Sequence, residues 1–459
     1  MVVRLNGFFF HALIGGLALL ASCTILIATP WGIGLGPDSL AYVGIARRLL
    51  SGLGVTYLTD VGGFSPVNHY PPLYPATLAG VALMGLDPLT AARWLNAFLF
   101  AGNVVLISLL VFTATSSFGA TFVAGFLAFT SFSMVQIHSM AWSEPLFILF
   151  AWSGLFFLAV YLHGSKRWML YASGLNIALS CLTRYAGVAF LGTATLGIFF
   201  LNGHNRKKRV ADTITLLTLA SLPLMLWALR NYSLAGSAAN RVAAFHPPGV
   251  ADLITALNSV CLWFFPAGVL AVPVWARAAL LIGFVLLLLR FGKTVGFSQT
   301  PLFKLACMLL PGYGIFLLAA RSFFDNAINF DTRILSPAYI AAMMVMVSIV
   351  TRWLKTKIFG SQSASRFVFY LLVIGISGAQ TTGGVAWWRL SYIDGIGFAG
   401  RAWRNSELIK FVNNVKSSTV VFTNVPDILY MLTGRLTAMI PSKNDPNSGL
   451  PNKQYRLEI

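Results

Sequence analysis

The sequence predicts an all-α polytopic membrane protein, and three observations carry that prediction. The 459 residues are 57% hydrophobic and only 10% charged, against roughly 25% charged in an ordinary soluble domain. The mean hydropathy is +0.76. The apolar residues also gather into runs of the length a bilayer asks for, about 20 per helix. Composition excludes an ordinary soluble enzyme. The net charge of +19 would suggest a polyanion such as nucleic acid in a soluble protein, so its distribution along the chain decides what it means.

Eleven near-uncharged runs bounded by charge, Pro or Gly lie at 8–30, 94–115, 119–137, 146–162, 168–183, 186–201, 212–229, 272–290, 303–320, 335–351 and 367–388. The fifth and sixth are short and joined only by Thr183-Arg184-Tyr185-Ala186. The first is too long for a signal-peptide core and has only Arg4 as a preceding charge, so it reads as an uncleaved span. With the N-terminus inside, the inner segments collect 14 Lys and Arg, including Arg206-Lys207-Lys208-Arg209, with Asp212 as the single acid. The outer loops hold 9 basic and 7 acidic residues, and the segment 389–459 holds 9 and 5. That Lys/Arg asymmetry sets the orientation and places the C-terminus outside. Most of the positive charge is therefore a topology signal, and nucleic acid drops out as a partner.

The chain divides into a membrane domain over 1–388 and a short segment over 389–459. Inner connections are short, whereas a first outer loop runs from 31 to 93 and a second from 230 to about 277. Long outer loops rich in acids point to binding or chemistry on that face. Residues 38–50 (DSLAYVGIARRLL) put Leu40, Val43, Ala46, Leu49 and Leu50 on one stripe opposite Arg47 and Arg48, the pattern of an amphipathic helix on the membrane surface. In the tail, an amphipathic helix is expected at 402–415, a strand at Ser418–Thr423 and a short helix at Pro426–Thr433 closed by Gly434. Gly395, Gly397 and Gly400 fit G-x-G-x-x-G but follow a span instead of a strand, so they read as a flexible linker and not as a dinucleotide site. Cys23, Cys181, Cys261 and Cys307 are far apart in apolar stretches and read as packing residues. No internal repeat is visible.

Candidate residues lie on the outer face. Asp38, at the mouth of the surface helix with Tyr42 one turn on, is either the N-cap of that helix or a partly desolvated general base. Glu144, in Trp142-Ser143-Glu144-Pro145, is either a first-turn acid that suits the helix dipole or a group that orients a sugar hydroxyl. Its position near lipid is costly without a partner. Arg184 and Arg333 are either boundary anchors or planar phosphate binders at headgroup depth, with Asp331 or Asp325 as the expected ion-pair partner of Arg333 in the former case. His69, Tyr70 and Tyr74 in NHYPPLYP either line a sugar pocket or belong to an interfacial aromatic belt.

Taken in order, GPDSLAY after the first span, PPLYP later in that loop, SEPLF at the fourth span, LTRYAG between the fifth and sixth, and FDTRILSP before a late span resemble the GT-C superfamily of membrane glycosyltransferases. The similarity is to the family-39 branch, which includes protein O-mannosyltransferases and aminoarabinose lipid A transferases. That resemblance implies a GT-C-type fold and a bacterial inner-membrane enzyme. It would use a polyprenyl-phosphate sugar to glycosylate a lipid, glycan or protein acceptor on the outer face, with inversion. Asp38 would be the base; Arg333, Arg184 or the pair Arg47 and Arg48 would stabilise the departing phosphate. No cofactor is required by the pattern. A divalent metal is possible by the resemblance, although Asp38 is followed by Ser39 where many relatives carry two adjacent acids, which speaks against a metal held by neighbouring carboxylates. A transporter or flippase for a lipid-linked or small solute is the rival class. It would show repeats and mid-membrane ionisable residues, whereas the charges here cluster at span ends.

Overall fold

The structure, a computed structural model, describes residues 2–58, 64–164, 166–241, 243–355, 362–416, 419–441, 443, 451 and 455. Asp60 and Lys357, which enter the loop charges above, and Ser418, the expected start of the tail strand, lie outside the described residues. Helix α1 (Val2–Ala28) leads to α2 (Pro37–Leu50), an antiparallel hairpin of β1 (Thr56–Leu58) and β2 (Phe64–Pro66), and α3 (Leu73–Ala82). Then come α4 (Pro88–Thr115), α5 (Phe118–Thr130), α6 (Phe132–His138), α7 (Glu144–Gly164), α8 (Arg167–Thr183), α9 (Gly187–Leu201) and α10 (Arg206–Ala235). The second half holds α11 (Val250–Phe264), α12 (Val274–Val295), α13 (Pro301–Phe323), α14 (Ser336–Lys355) and α15 (Gln362–Asp394). The tail adds α16 (Arg401–Arg404), α17 (Glu407–Asn414), β3 (Phe422–Thr423), α18 (Pro426–Thr433) and β4 (Ala438–Met439), with β3 and β4 paired in parallel.

Helices occupy the position of every apolar run, and their ends follow local chemistry. Asp87 caps α4 by accepting from Leu89 N, Ser117 accepts from Ala120 N ahead of α5, and Asn205 accepts from Lys208 N ahead of α10, each satisfying an orphan donor of a first turn. Among the described residues seven helices, α1, α4, α7, α10, α12, α13 and α14, are long and apolar enough to cross a membrane, and α5 with α6 makes an eighth bent by 55°. The bend falls at Ser131, where the backbone turns extended. Helices α8 and α9, of 17 and 15 residues, are short of a perpendicular span. The chain is a multi-pass membrane protein.

Side-chain size sets how the helices approach. A Cβ on Gly154 would meet Ile177 at 2.7 Å, one on Gly174 would meet Leu219 at 2.9 Å, and one on Gly197 would meet Leu305 at 2.4 Å. Such small residues let membrane helices close together where lipid supplies little hydrophobic drive for association. The interior is filled by large rings, Trp152, Phe100, Phe147 and Phe190 among them, while Leu226 and Leu229 on α10 and Ile282 and Leu286 on α12 stay exposed as an outward apolar belt.

Two expectations for the tail are corrected. The helix foreseen over 402–415 is interrupted at Asn405 and Ser406, because the Ser406 hydroxyl accepts from Ile409 N and restarts the helix as α17. The glycine motif is not a flexible linker. Leu35 N donates to Ile396 O at 3.3 Å and Phe398 N to Leu35 O at 2.9 Å, so the segment pairs with the chain just before α2.

Candidate active site

Four segments far apart in sequence meet at one end of the bundle. Helix α2 begins two residues earlier than Asp38 as an N-cap would require: Gly36 is the cap, Pro37 takes the first helical position, and Gly36 N donates to Ser39 Oγ at 3.0 Å. Proline suits that position because the N–H it lacks would be unsatisfied there anyway. The Asp38 carboxylate is thereby released from capping. It accepts from Tyr70 OH at 3.0 Å and from Arg333 Nη2 at 2.5 Å, with 29% of its side chain exposed.

Arg333 arrives from the turn before α14. Asp331 does not pair with it; Asp331 Oδ1 instead accepts from Ile334 N at 2.9 Å, and Asp325 pairs with Arg241. This corrects the expected salt bridge of Arg333. Its guanidinium lies over the Trp142 ring at 4.1 Å and donates through Nε to Glu144 Oε1. Arg184, held in the tight turn between α8 and α9, donates from Nη1 to the same Glu144 oxygen at 2.8 Å and to Ser143 Oγ at 3.0 Å. Glu144 opens α7 with only 2% of its side chain exposed, and its Oε2 has no hydrogen-bond partner among the described residues.

The charges therefore close on themselves: two carboxylates and two guanidinium groups, with Arg333 bridging both acids. Burial opposes ionisation of Asp38, but the adjoining Arg333 and the nearby Arg184 outweigh it and hold the carboxyl below its usual range. Burial and the Asp38 charge push the Tyr70 phenol well up, so it remains a neutral donor to Asp38. The Tyr42 phenol is likewise pushed up by burial and Asp38, and its OH lies 3.1 Å from Ser143 Oγ. Tyr42 stands edge-on to Tyr70 and to Tyr74, each at 5.1 Å, and the Tyr74 hydroxyl is buried without a hydrogen-bond partner among the described residues. Outside this shell, His69 packs edge-on to Tyr70 at 4.6 Å, and its Nε2 lies 3.2 Å from Arg241 Nη2. Burial and the Arg241 charge keep this imidazole below its ordinary range, as a neutral acceptor.

Asp38, Tyr42, His69, Tyr70, Tyr74, Glu144, Arg184 and Arg333 are thus brought together. Arg47 and Arg48 are not: Arg47 pairs with Asp87 at 3.0 Å. Arg48, expected on the open face opposite the apolar stripe, is 5% exposed and donates from Nε to Thr56 O at 2.8 Å. The tail reaches it, since Asp427 and Tyr430 of α18 act electrostatically on Arg48, while Ile428 and Met431 of the same helix share a core with Tyr42, Val43 and Ala46. Trp142, Ser143 and Arg241 belong to the site or its rim without having been singled out. Adjacency to Glu144 was the available signal for the first two. Among the described residues no three His, Cys, Asp or Glu side chains converge as metal ligands, and both carboxylates of the site are engaged by guanidinium groups.

No protein-family model matches the chain, and no curated protein does. Solved structures do. ArnT from Cupriavidus metallidurans bound to undecaprenyl phosphate superposes with a TM-score of 0.61 at 12% identity, covering 92% of this chain and 85% of that one. The oligosaccharyltransferase AglB from Archaeoglobus fulgidus, in complex with an inhibitory peptide and a dolichol-phosphate, gives 0.59 at 12% identity over 94% of this chain and 64% of that one. The arabinosyltransferase EmbB from Mycobacterium smegmatis gives 0.51 at 13% identity over 82% and 40%. These are GT-C glycosyltransferases, and the fold of this chain is theirs.

Proposed function

We propose that the protein is an integral membrane glycosyltransferase that moves a monosaccharide from a polyprenyl-phosphate carrier to an acceptor hydroxyl. The observation that carries the reading is Arg333, bridged to Asp38 and Glu144 and stacked on Trp142, on a fold shared with proteins solved with undecaprenyl phosphate or dolichol-phosphate. Planar guanidinium groups match phosphate oxygens in pairs, and two of them converge here beside the one acid with appreciable access to solvent.

In this reading the donor phosphate competes with Asp38 for Arg333 and lies between Arg333 and Arg184. Losing its cation makes Asp38 a stronger base when donor is present. Asp38 then takes the proton of the acceptor hydroxyl, the acceptor oxygen forms its bond to the anomeric carbon from the opposite face, and the bond to the phosphate oxygen breaks. The two arginines hold the charge that develops on the departing phosphate, the electrostatic contribution that commonly dominates such sites. The Lys/Arg distribution supports an outer-side position for this end of the bundle and the tail; in this reading the membrane is a bacterial inner membrane and 1–388 is the catalytic unit.

The test is transfer or hydrolysis by purified protein of a synthetic polyprenyl-phosphate monosaccharide, expected to proceed with lipid-linked donor and not with nucleotide-sugar alone. Transfer from nucleotide-sugar without a lipid carrier would sink the donor class. Arg333→Lys, which keeps a charge but not the paired fork, should bind undecaprenyl phosphate about tenfold or more weakly. Unchanged affinity would remove Arg333 from the phosphate site.

A further inference from the structure

The strand-like segment just before Asp38 is held on both sides by backbone. On one side Gly34 N donates to Ser139 O at 2.9 Å and Ala141 N to Gly34 O at 2.8 Å; on the other, Leu35 bonds in both directions to Ile396 and Phe398. Residues 34–35, 139–141 and 396–398 thus form a three-strand clasp whose central member runs into Gly36, Pro37 and Asp38, and whose second member runs into Trp142, Ser143 and Glu144. Side chains cannot enter it. A Cβ on Gly397, where φ is +59°, would lie 1.9 Å from Leu35 O, and a Cβ on Gly34 would lie 2.3 Å from Met140 Sδ. The tail reinforces the contact from further out: Trp31 Nε1 donates to Tyr392 O at 3.2 Å, and Ala399 is fully buried. Leu35 is three residues from Asp38, and Gly36 leaves its Cα so close to Trp142 that an added Cβ would touch Nε1 at 3.2 Å. A displacement at Leu35 is therefore passed along three residues of backbone to the acid.

We infer that Gly397 is a positioning residue, and that the tail's glycine motif sets the placement of Asp38 against Arg333 through the Leu35 backbone. The kinetic part rests on the function proposed above; the structural part does not. An alanine at 397 must push Leu35 O away, whereas an alanine at Gly434, with φ of +72° and nothing within 4 Å, adds comparable backbone strain in the same tail without touching the clasp. Misplacing a reacting group by about 1 Å costs up to about a hundredfold in rate while leaving ground-state binding nearly intact.

The experiment compares wild type, Gly397→Ala and Gly434→Ala as full-length protein. Hydrogen exchange of residues 33–40 should accelerate in Gly397→Ala alone, with Leu35 N most affected. In Gly397→Ala kcat for sugar transfer should fall about tenfold or more, with the Kd for undecaprenyl phosphate within about twofold of wild type. Gly434→Ala should keep both. Should Gly397→Ala fail to fold, Gly395→Ala, whose Cβ would meet Gly400 Cα at 2.9 Å and Trp31 Cβ at 3.1 Å, takes its place with the same expectations. Wild-type exchange and kcat in the 397 variant, an equal loss in Gly434→Ala, or loss of kcat and phosphate affinity in parallel would each overturn the assignment. A wild-type protein inactive on every polyprenyl-phosphate sugar would instead overturn the proposed function, and the exchange data would still decide the clasp.

Discussion

Two buried carboxylates at opposite ends of the bundle are satisfied in opposite ways. Glu144 lies between two guanidinium groups, Arg184 and Arg333, with Oε2 left over. Among the described residues Asp212, fully buried near the start of α10, takes only neutral donors: Tyr161 OH at 2.5 Å and Asn202 Nδ2 at 3.0 Å, both to Oδ2. Neutral donors tie α7, the end of α9 and α10 together but offer nothing to an incoming anion. Paired cations can exchange a carboxylate for a phosphate at little net change in charge. Under the proposed function, a buried acid belongs to the site where its partners are themselves charged and one of them also reaches an accessible group.

The largest effect that would sharpen this contrast is at Asp38. Asp38→Asn keeps the shape and a hydrogen-bond acceptor for Tyr70 but cannot accept a proton, so kcat should fall by about 10²–10⁴-fold, while the unfolding temperature at neutral pH drops only by what the Arg333 ion pair contributes. Wild-type kcat in a transfer assay would remove Asp38 as the base. Next is Glu144→Gln. It leaves Arg184 and Arg333, 19% and 16% exposed, sharing one neutral oxygen, and removing one partner of a buried ion pair costs about 3–5 kcal/mol. Denaturation in detergent should show a loss of that order, and a loss under about 1 kcal/mol would mean that solvent reaches the pair.

A smaller effect follows from acidity. The folded protein holds the Asp38 carboxyl below its ordinary range, so this pairing contributes stability above the unfolded value of about 4 and loses it as pH falls through the depressed folded value. Wild type should therefore lose more stability than Asp38→Asn between about pH 5 and about pH 3. Parallel curves for the two proteins would show that Arg333 does not act on Asp38 in solution.

How far the sequence reveals this site depends on which force places each residue. Asp38, Glu144, Arg184 and Arg333 are legible singly, because a charge at the edge of an apolar run needs a partner or a task. Their pairing is not legible. Arg333 meets Asp38 across 295 residues and Glu144 across 189, while the near neighbour Asp331 is spent on its own helix start. The helix positions follow from apolar run length, yet the bend at Ser131 does not, since the run 119–137 is continuous in hydropathy. Arg48 looks exposed by helical phase and is buried where α18 reaches it. The clasp around Leu35 escapes pattern reading altogether, as backbone pairing between short distant segments leaves no periodicity of side chains.

The smallest expected effect lies at the far end of the bundle. Asp212 accepts both of its hydrogen bonds through one oxygen, and Oδ1 has no partner, so an asparagine keeps the accepting oxygen and converts the idle one into an amide. Asp212→Asn should cost about 1 kcal/mol, with transfer activity within about twofold of wild type, the rate change being what separates a structural from a catalytic acid. Asp212→Leu removes the acceptor as well, leaving the Tyr161 hydroxyl and the Asn202 amide buried and unpaired at about 1–3 kcal/mol each. Thermal unfolding should therefore rank wild type, Asn and Leu in that order while the activity of the folded fraction stays level. A tenfold loss of kcat in Asp212→Asn at unchanged stability would break the comparison, because it would mean that a carboxylate bonded only to neutral groups, at the other end of the helices, also takes part in sugar transfer.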